Sequence, residues 1–163
     1  MTGLCVIGIG ARDRGDDAVG PCAIDRLQAI AAAGKLPPFD LIALSGEASG
    51  LVAAWADARA AIVIDAAMGG GRVGAIRRLA PNDAAIAVEA PPVSSHSAGL
   101  AQAIALSDAL ATTPPRLTLY LVTGRQFGFG DPLSPEVSAA LPELMRRVER
   151  DIDAIGKETA RHA

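Results

Sequence analysis

Short apolar runs alternate along this chain with longer segments in which apolar residues recur every three or four positions. The runs predict buried strands, and the longer segments predict helices that bury one face. Parallel strands need a crossover connection, usually a helix, so the alternation predicts a mostly parallel sheet covered by helices on both faces. The predicted strands are 4–9, 39–44, 60–67 and 117–122, with weaker candidates at 74–79 and 85–89.

The predicted helices are 17–33, 51–57, 98–110 and a long C-terminal helix. The last of these has a typical start, with Ser134 as N-cap and Pro135 at the first helical position. Pro142 predicts a kink or a second helix start, because proline has no backbone N–H to donate. The tail 156–163 is expected to fray.

Length and composition limit the possible classes of protein. The 163 residues suit a single domain over 1–163, and we expect an α/β, three-layer αβα fold of about five strands. The net charge of −3 and the lack of a basic run argue against a nucleic-acid partner. The apolar runs are shorter than the roughly 20 residues of a membrane helix. The chain begins with a strand rather than a signal segment, so a cytoplasmic location is expected.

A glycine turn followed by carboxylates ends the first predicted strand. Gly8 and Gly10 are typical of a turn in which the backbone approaches a nucleotide's phosphates. Here, however, Asp13, Asp16 and Asp17 follow the turn, and carboxylates repel phosphate. The turn is therefore predicted to attract a cation rather than a nucleotide.

Three residues that can bind a metal ion follow separate elements. Asp17 follows the first strand, Asp65 lies at the end of the third, and His96 precedes the third helix. Loops at the carboxyl ends of parallel strands meet at one edge of the sheet, so we expect these side chains to lie together. Two carboxylates and one imidazole suit Ni²⁺, Zn²⁺ or a similar ion with open coordination positions.

Each of these residues alone also has an ordinary structural explanation. Asp17 could interact with the dipole at a helix N-terminus, Asp65 could cap the glycine turn 69–71, and His96 could be a surface or capping residue. A serine hydrolase built on a serine beside His96 is a weaker alternative, because a nucleophile adjacent in sequence to its base usually points elsewhere. The chain also has no G-x-S-x-G motif.

Four motifs, spread from about residue 3 to 155, resemble the signatures of the [NiFe]-hydrogenase maturation endopeptidases. They are Gly8-Ile9-Gly10 with Asp16-Asp17 and Gly20, then Val63-Ile64-Asp65-Ala66, Ser95-His96-Ser97-Ala98-Gly99-Leu100 and Leu133-Ser134-Pro135-Glu136-Val137. The resemblance implies an endopeptidase that acts on the hydrogenase large-subunit precursor after nickel insertion. Removal of a C-terminal extension then lets that subunit close around its metal centre.

By the same resemblance, the metal-contacting and catalytic residues of the family fall on Asp17, Asp65 and His96. The nickel belongs to the substrate, these residues complete its coordination, and zinc or cadmium would fit the same site. The metal, or a water that it polarises, would favour attack on the scissile carbonyl. The implied protein is a cytoplasmic, metal-dependent, aspartic-type endopeptidase. Its implied partner is the large-subunit precursor, with no nucleic acid and no membrane.

Two positions depart from the family pattern. Ala11 stands where the family usually has asparagine, and Ser45 stands where it usually has aspartate. The family residues at these positions are candidates for orienting the peptide or serving the catalytic step, and Glu47 is a possible replacement for the missing acid. The alternative function is therefore that of a non-cleaving, metal-sensing binding partner of a hydrogenase subunit.

Overall fold

A computed structural model describes residues 3–69, 71–80 and 95–161, the side chains of 95–98 excepted. Within these residues the strands β1 to β5 are Leu4–Ile9, Asp40–Leu44, Ala60–Met68, Ile76–Leu79 and Arg116–Gly124. The helices α1 to α4 are Val19–Ala32, Ala48–Trp55, Ser95–Ala109 and Pro135–Arg161, and a 3-10 helix, Gly15–Ala18, precedes α1. The predicted strand at 85–89 lies outside the described residues.

The described strands form one sheet in the order β2-β1-β3-β5-β4. All neighbours are parallel except β4, which runs antiparallel to β5 at one edge. In the centre, Gly8 of β1 pairs with Ala43 of β2 and with Ile64 of β3. The prediction of a mostly parallel sheet of about five strands is confirmed.

Side chains from the two faces of the sheet enter separate hydrophobic clusters. On β3, Ile62 and Ile64 pack with residues of α1 and α4, whereas Ala61 and Val63 pack with residues of α2 and α3. This alternation is the period of two expected of a strand buried on both faces. The three-layer αβα arrangement is therefore confirmed. No helix in the described ranges is long and apolar enough to cross a membrane.

The C-terminal helix differs from its prediction. It starts as expected, with the Val137 backbone N–H donating to Ser134 Oγ at 3.4 Å. It then continues as one helix through Pro142 to Arg161, with no second start and with helical structure through most of the tail that was expected to fray. A Cβ on Gly156 would lie 2.4 Å from Pro37 Cγ, so the absence of a side chain there lets the helix pack against Pro37.

Two glycines allow the backbones of α1 and β1 to pack in direct contact. A Cβ on Gly20 would lie 2.3 Å from the carbonyl oxygen of Ile9 and 2.8 Å from that of Ile64. A Cβ on Gly8 would lie 2.5 Å from the carbonyl oxygen of Gly20. The first turn of α1 is thereby held over the carboxyl ends of β1 and β3.

We predict that Gly20→Ala destabilises the protein by about 3 kcal/mol, because backbone atoms surround the added methyl and α1 has to move away from the sheet. Gly50→Ala is the matched control in a second helix, where the nearest atom to a new Cβ is Leu44 Cδ2 at 4.0 Å. That change is expected to be neutral or to stabilise by up to about 1 kcal/mol through helix propensity. Urea unfolding of both variants measures the difference, and equal stabilities would contradict the packing argument.

Candidate functional site

The strand order reverses its direction at the carboxyl ends of β1 and β3. The chain passes from β1 to β2 on one side of this pair and from β3 to β4 on the other side. Such a reversal is the usual ligand-binding position in open parallel sheets. Asp17 lies in the 3-10 helix that comes after β1, and Asp65 lies near the end of β3. Both residues are therefore at this edge of the sheet.

Asp17 is buried, with 3% of its surface exposed, and its orientation is fixed by the preceding turn. Its Oδ2 accepts a hydrogen bond from the Ala11 backbone N–H at 2.7 Å. Gly10 has a φ of +136°, and a Cβ there would lie 1.8 Å from the Asp17 carbonyl oxygen, so only glycine fits. Because the backbone of residue 11 makes the bond to Asp17, the departure to alanine at this position leaves that bond in place.

Asp65 is 1% exposed and lies within a strand whose other residues are mostly apolar. Its Oδ1 accepts a hydrogen bond from the Ala66 backbone N–H at 2.8 Å. By the alternation along β3, Asp65 falls on the same face as Val63, which is the face covered by α2 and α3. A carboxylate in this position is directed toward the layer that contains the predicted histidine.

His96 is the second residue of α3, and its side chain lies outside the described residues. The position of its backbone follows from Gly99, one turn later, where a Cβ would lie 2.2 Å from the Gly46 carbonyl oxygen. Gly46 follows β2, so the first turn of α3 packs against a loop at the carboxyl edge of the sheet. The structure thus brings Asp17, Asp65 and the backbone of His96 to one edge.

Metal binding by these residues stays a prediction. Among the side chains that the structure describes, which do not include that of His96, no group of three histidine, cysteine or acidic residues is placed to hold a metal ion. The two carboxylates alone provide oxygen donors, and the third donor of the predicted set belongs to α3.

Asp16 has a structural role that the sequence analysis missed. It is 0% exposed, and its Oδ2 accepts hydrogen bonds from the backbone N–H groups of Arg125 at 2.8 Å and Gln126 at 3.1 Å. Its Oδ1 accepts from the Ser134 backbone N–H at 2.7 Å. Burial alone would raise the pKa of Asp16, but these hydrogen bonds outweigh it and hold the pKa below the ordinary value. Asp16 therefore remains charged and serves to join these segments, and the attraction of a cation to the turn stays a prediction.

We predict that Asp16→Asn destabilises the protein by about 2–3 kcal/mol at neutral pH, because an amide nitrogen cannot accept the N–H donors that face it. Asp25→Asn is the control, since its ion pair with Arg12 is exposed to solvent and is expected to contribute little to stability. Urea unfolding measures both variants, and equal losses would contradict the role of Asp16.

The stability difference caused by Asp16→Asn has a defined pH dependence. The pKa of Asp16 is lower in the folded protein than in the unfolded chain, where it is about 3.9. The stabilisation is therefore complete above that unfolded value and is lost as the pH falls through the folded pKa. Unfolding free energies of wild type and variant are expected to converge toward low pH, and a constant difference would contradict this prediction.

Solved structures of hydrogenase proteases share this fold. The hydrogenase maturating endopeptidase HybD from Escherichia coli has a TM-score of 0.81, with 22% identity over 94% of this chain and 93% of that one. The [NiFe] hydrogenase maturation protease HybD from Thermococcus kodakarensis has a TM-score of 0.74, with 17% identity over 91% and 98% of the two chains. For HycI from the same organism the TM-score is 0.63, with 22% identity over 91% of each chain.

A search of curated proteins found no match. The family model for HycI, described as hydrogenase maturation protease, matches residues 28–151, which is most of the chain. None of these matches favours the alternative of a non-cleaving binding partner. By this match, the chain belongs to the hydrogenase maturation protease family.

Proposed function

We propose that this protein is the endopeptidase that removes the C-terminal extension of a nickel-loaded [NiFe]-hydrogenase large-subunit precursor. Membership of the hydrogenase maturation protease family supports the reaction class and the substrate. The single observation that carries the site assignment is the burial of two carboxylates, Asp17 and Asp65, at the carboxyl edge of β1 and β3.

The donor set fits nickel carried by the substrate. The Asp17 and Asp65 carboxylates accept hydrogen bonds from the backbone N–H groups of Ala11 and Ala66, which hold their oxygens in place at this edge. Carboxylate oxygens together with the imidazole of His96 suit borderline divalent ions, and zinc or cadmium would fit the same donors. In this proposal Asp17, Asp65 and His96 complete the coordination of an ion that the precursor presents.

The chain's own residues supply rigid positioning. The Ala11 N–H holds the Asp17 carboxylate, β3 holds Asp65, and the contact between Gly99 and Gly46 holds the start of the helix that carries His96. When bound, nickel would polarise the scissile carbonyl or a water molecule. A carboxylate oxygen of Asp17 or Asp65 that is not used to bind nickel would accept the proton of the attacking water.

The proposal explains why cleavage follows metal insertion. A precursor without nickel offers nothing for the three side chains to bind, so its extension is not held at the site. The precursor is then the protein's macromolecular partner and nickel is part of the substrate. Action in the cytoplasm stays a prediction from the sequence.

We expect the nickel-loaded precursor to lose a C-terminal fragment during incubation with this protein, and the metal-free precursor to keep its full mass. Intact-mass spectrometry of both precursors measures the outcome. Cleavage of both forms at equal rates would contradict nickel recognition, whereas cleavage of neither would contradict the proposed reaction.

We further predict that Asp17→Asn, Asp65→Asn and His96→Ala each lower the cleavage rate about 100-fold or more, since each removes a metal ligand or proton acceptor. Asp13→Asn is the control within the same turn, because the Asp13 side chain is exposed. His162→Ala is the control for the other histidine of the chain. Both control variants are expected to cleave at the wild-type rate, and wild-type cleavage by His96→Ala would show that the triad is wrong.

A further inference from the structure

Phe129 is the most exposed large apolar side chain in the described part of the chain, at 80%. It lies in the segment 125–131, here named the Phe129 loop, which follows β5 directly. This position is at the carboxyl edge of the sheet, the edge that contains Asp17 and Asp65. An aromatic ring left in water forgoes the stabilisation of burial, so Phe129 offers apolar surface that a partner could bury.

The Phe129 loop is held by hydrogen bonds within its own sequence and by Asp16. The Asp16 carboxylate accepts from the first two backbone N–H groups of the loop, and the carbonyl oxygen of Gln126 accepts from the Asp16 N–H at 2.7 Å. Further along, the Gly128 N–H donates to Asp131 Oδ2 at 3.0 Å. The loop is therefore ordered before any partner binds.

Two further hydrogen bonds join the Phe129 loop to the turn that precedes Asp17. The Gly130 N–H donates to the Asp13 carbonyl oxygen at 2.7 Å, and the Gly15 N–H donates to the Asp131 carbonyl oxygen at 2.9 Å. The residue next to Phe129 is thus tied to the acidic turn itself. A partner that docks on Phe129 is held in a fixed relation to Asp17, and little ordering entropy is lost because the loop is already in place.

A second apolar side chain flanks the same edge. Met68, 36% exposed, is the last residue of β3, three positions after Asp65, and it pairs in register with Gly124 just before the Phe129 loop. The other large apolar side chains exposed in the described ranges, Leu106 and Leu110, lie near the opposite end of α3. Met68 at the end of β3 and Phe129 in the loop after β5 therefore both expose apolar surface at the carboxyl edge of the sheet.

We infer that Phe129 is a docking contact for an apolar side chain of the precursor polypeptide near the cleaved bond. This inference rests on the proposed function and names a substrate contact apart from the proposed metal-binding residues Asp17, Asp65 and His96. Continuity with the candidate site favours the precursor as occupant over a second copy of this chain, because a second copy seated on Phe129 would cover the edge that the substrate has to reach.

The test compares Phe129→Ser with Leu110→Ser, a matched change at a 57% exposed residue just past the end of α3. We expect Phe129→Ser to raise the KM and the Kd for nickel-loaded precursor about tenfold or more, as loss of a central aromatic contact does. The rate at saturating precursor and the melting temperature are expected to stay near wild type. Leu110→Ser is expected to change none of these values, and Phe129→Trp is expected to restore binding.

Photo-crosslinking provides a readout that does not depend on cleavage. We expect p-benzoylphenylalanine in place of Phe129 to form a cross-link to the precursor, and the same group in place of Leu110 to form none. An unchanged KM in Phe129→Ser, with wild-type protein cleaving normally, would overturn the docking role and leave the proposed function intact. Cross-links between two copies of this chain would also overturn it. Wild-type protein that neither binds nor cleaves the precursor would overturn the proposed function and this inference together.

Discussion

The buried carboxylate of Asp16 is the interaction on which the carboxyl edge of the sheet depends. A fully buried charge is costly, and here three backbone N–H groups from the start of the Phe129 loop and from Ser134 compensate it. One side chain therefore fixes the acidic turn, the loop after β5 and the start of α4 relative to one another. Asp17 follows in the same 3-10 helix, so its backbone position is set by the same interactions.

The parts of the fold that the sequence predicted are those that local patterns determine. The apolar run at 60–67 predicts β3 because its alternate residues enter the two hydrophobic clusters, and a strand covered on both faces is mostly apolar. Ser134 was recognisable as an N-cap because the capping bond joins residues three apart, Ser134 and Val137. The αβα arrangement then follows from the alternation of strands and helices, since each connection between parallel strands has to return along one face of the sheet.

The interactions that build the site were not predictable, because they join residues far apart in the sequence. Asp16 and Asp17 are identical neighbours in an acidic turn, and only the N–H donors of Arg125 and Ser134, 109 and 118 residues away, distinguish their roles. The contact of Gly99 with Gly46 is likewise invisible in a local pattern. The sequence suggested which side chains are chemically suited to a metal but could not say which of them the fold already uses.

The different partners of the adjacent carboxylates Asp16 and Asp17 suit the proposed site, which would recognise a metal ion carried by another protein. A set of strong ligands, such as thiolates, would bind a free metal ion tightly. Such a site could not distinguish a nickel-loaded precursor from a metal-free one. The proposed set has no sulfur, and one of its two carboxylates, Asp17, accepts a hydrogen bond from the Ala11 backbone N–H. Asp16 joins the turn to the Phe129 loop and to the start of α4, whereas Asp17 belongs to the proposed metal site. With these separate roles, the proposed site can be rigid without binding a free metal ion tightly. Its proposed specificity then comes from the ligands that the precursor contributes to the nickel.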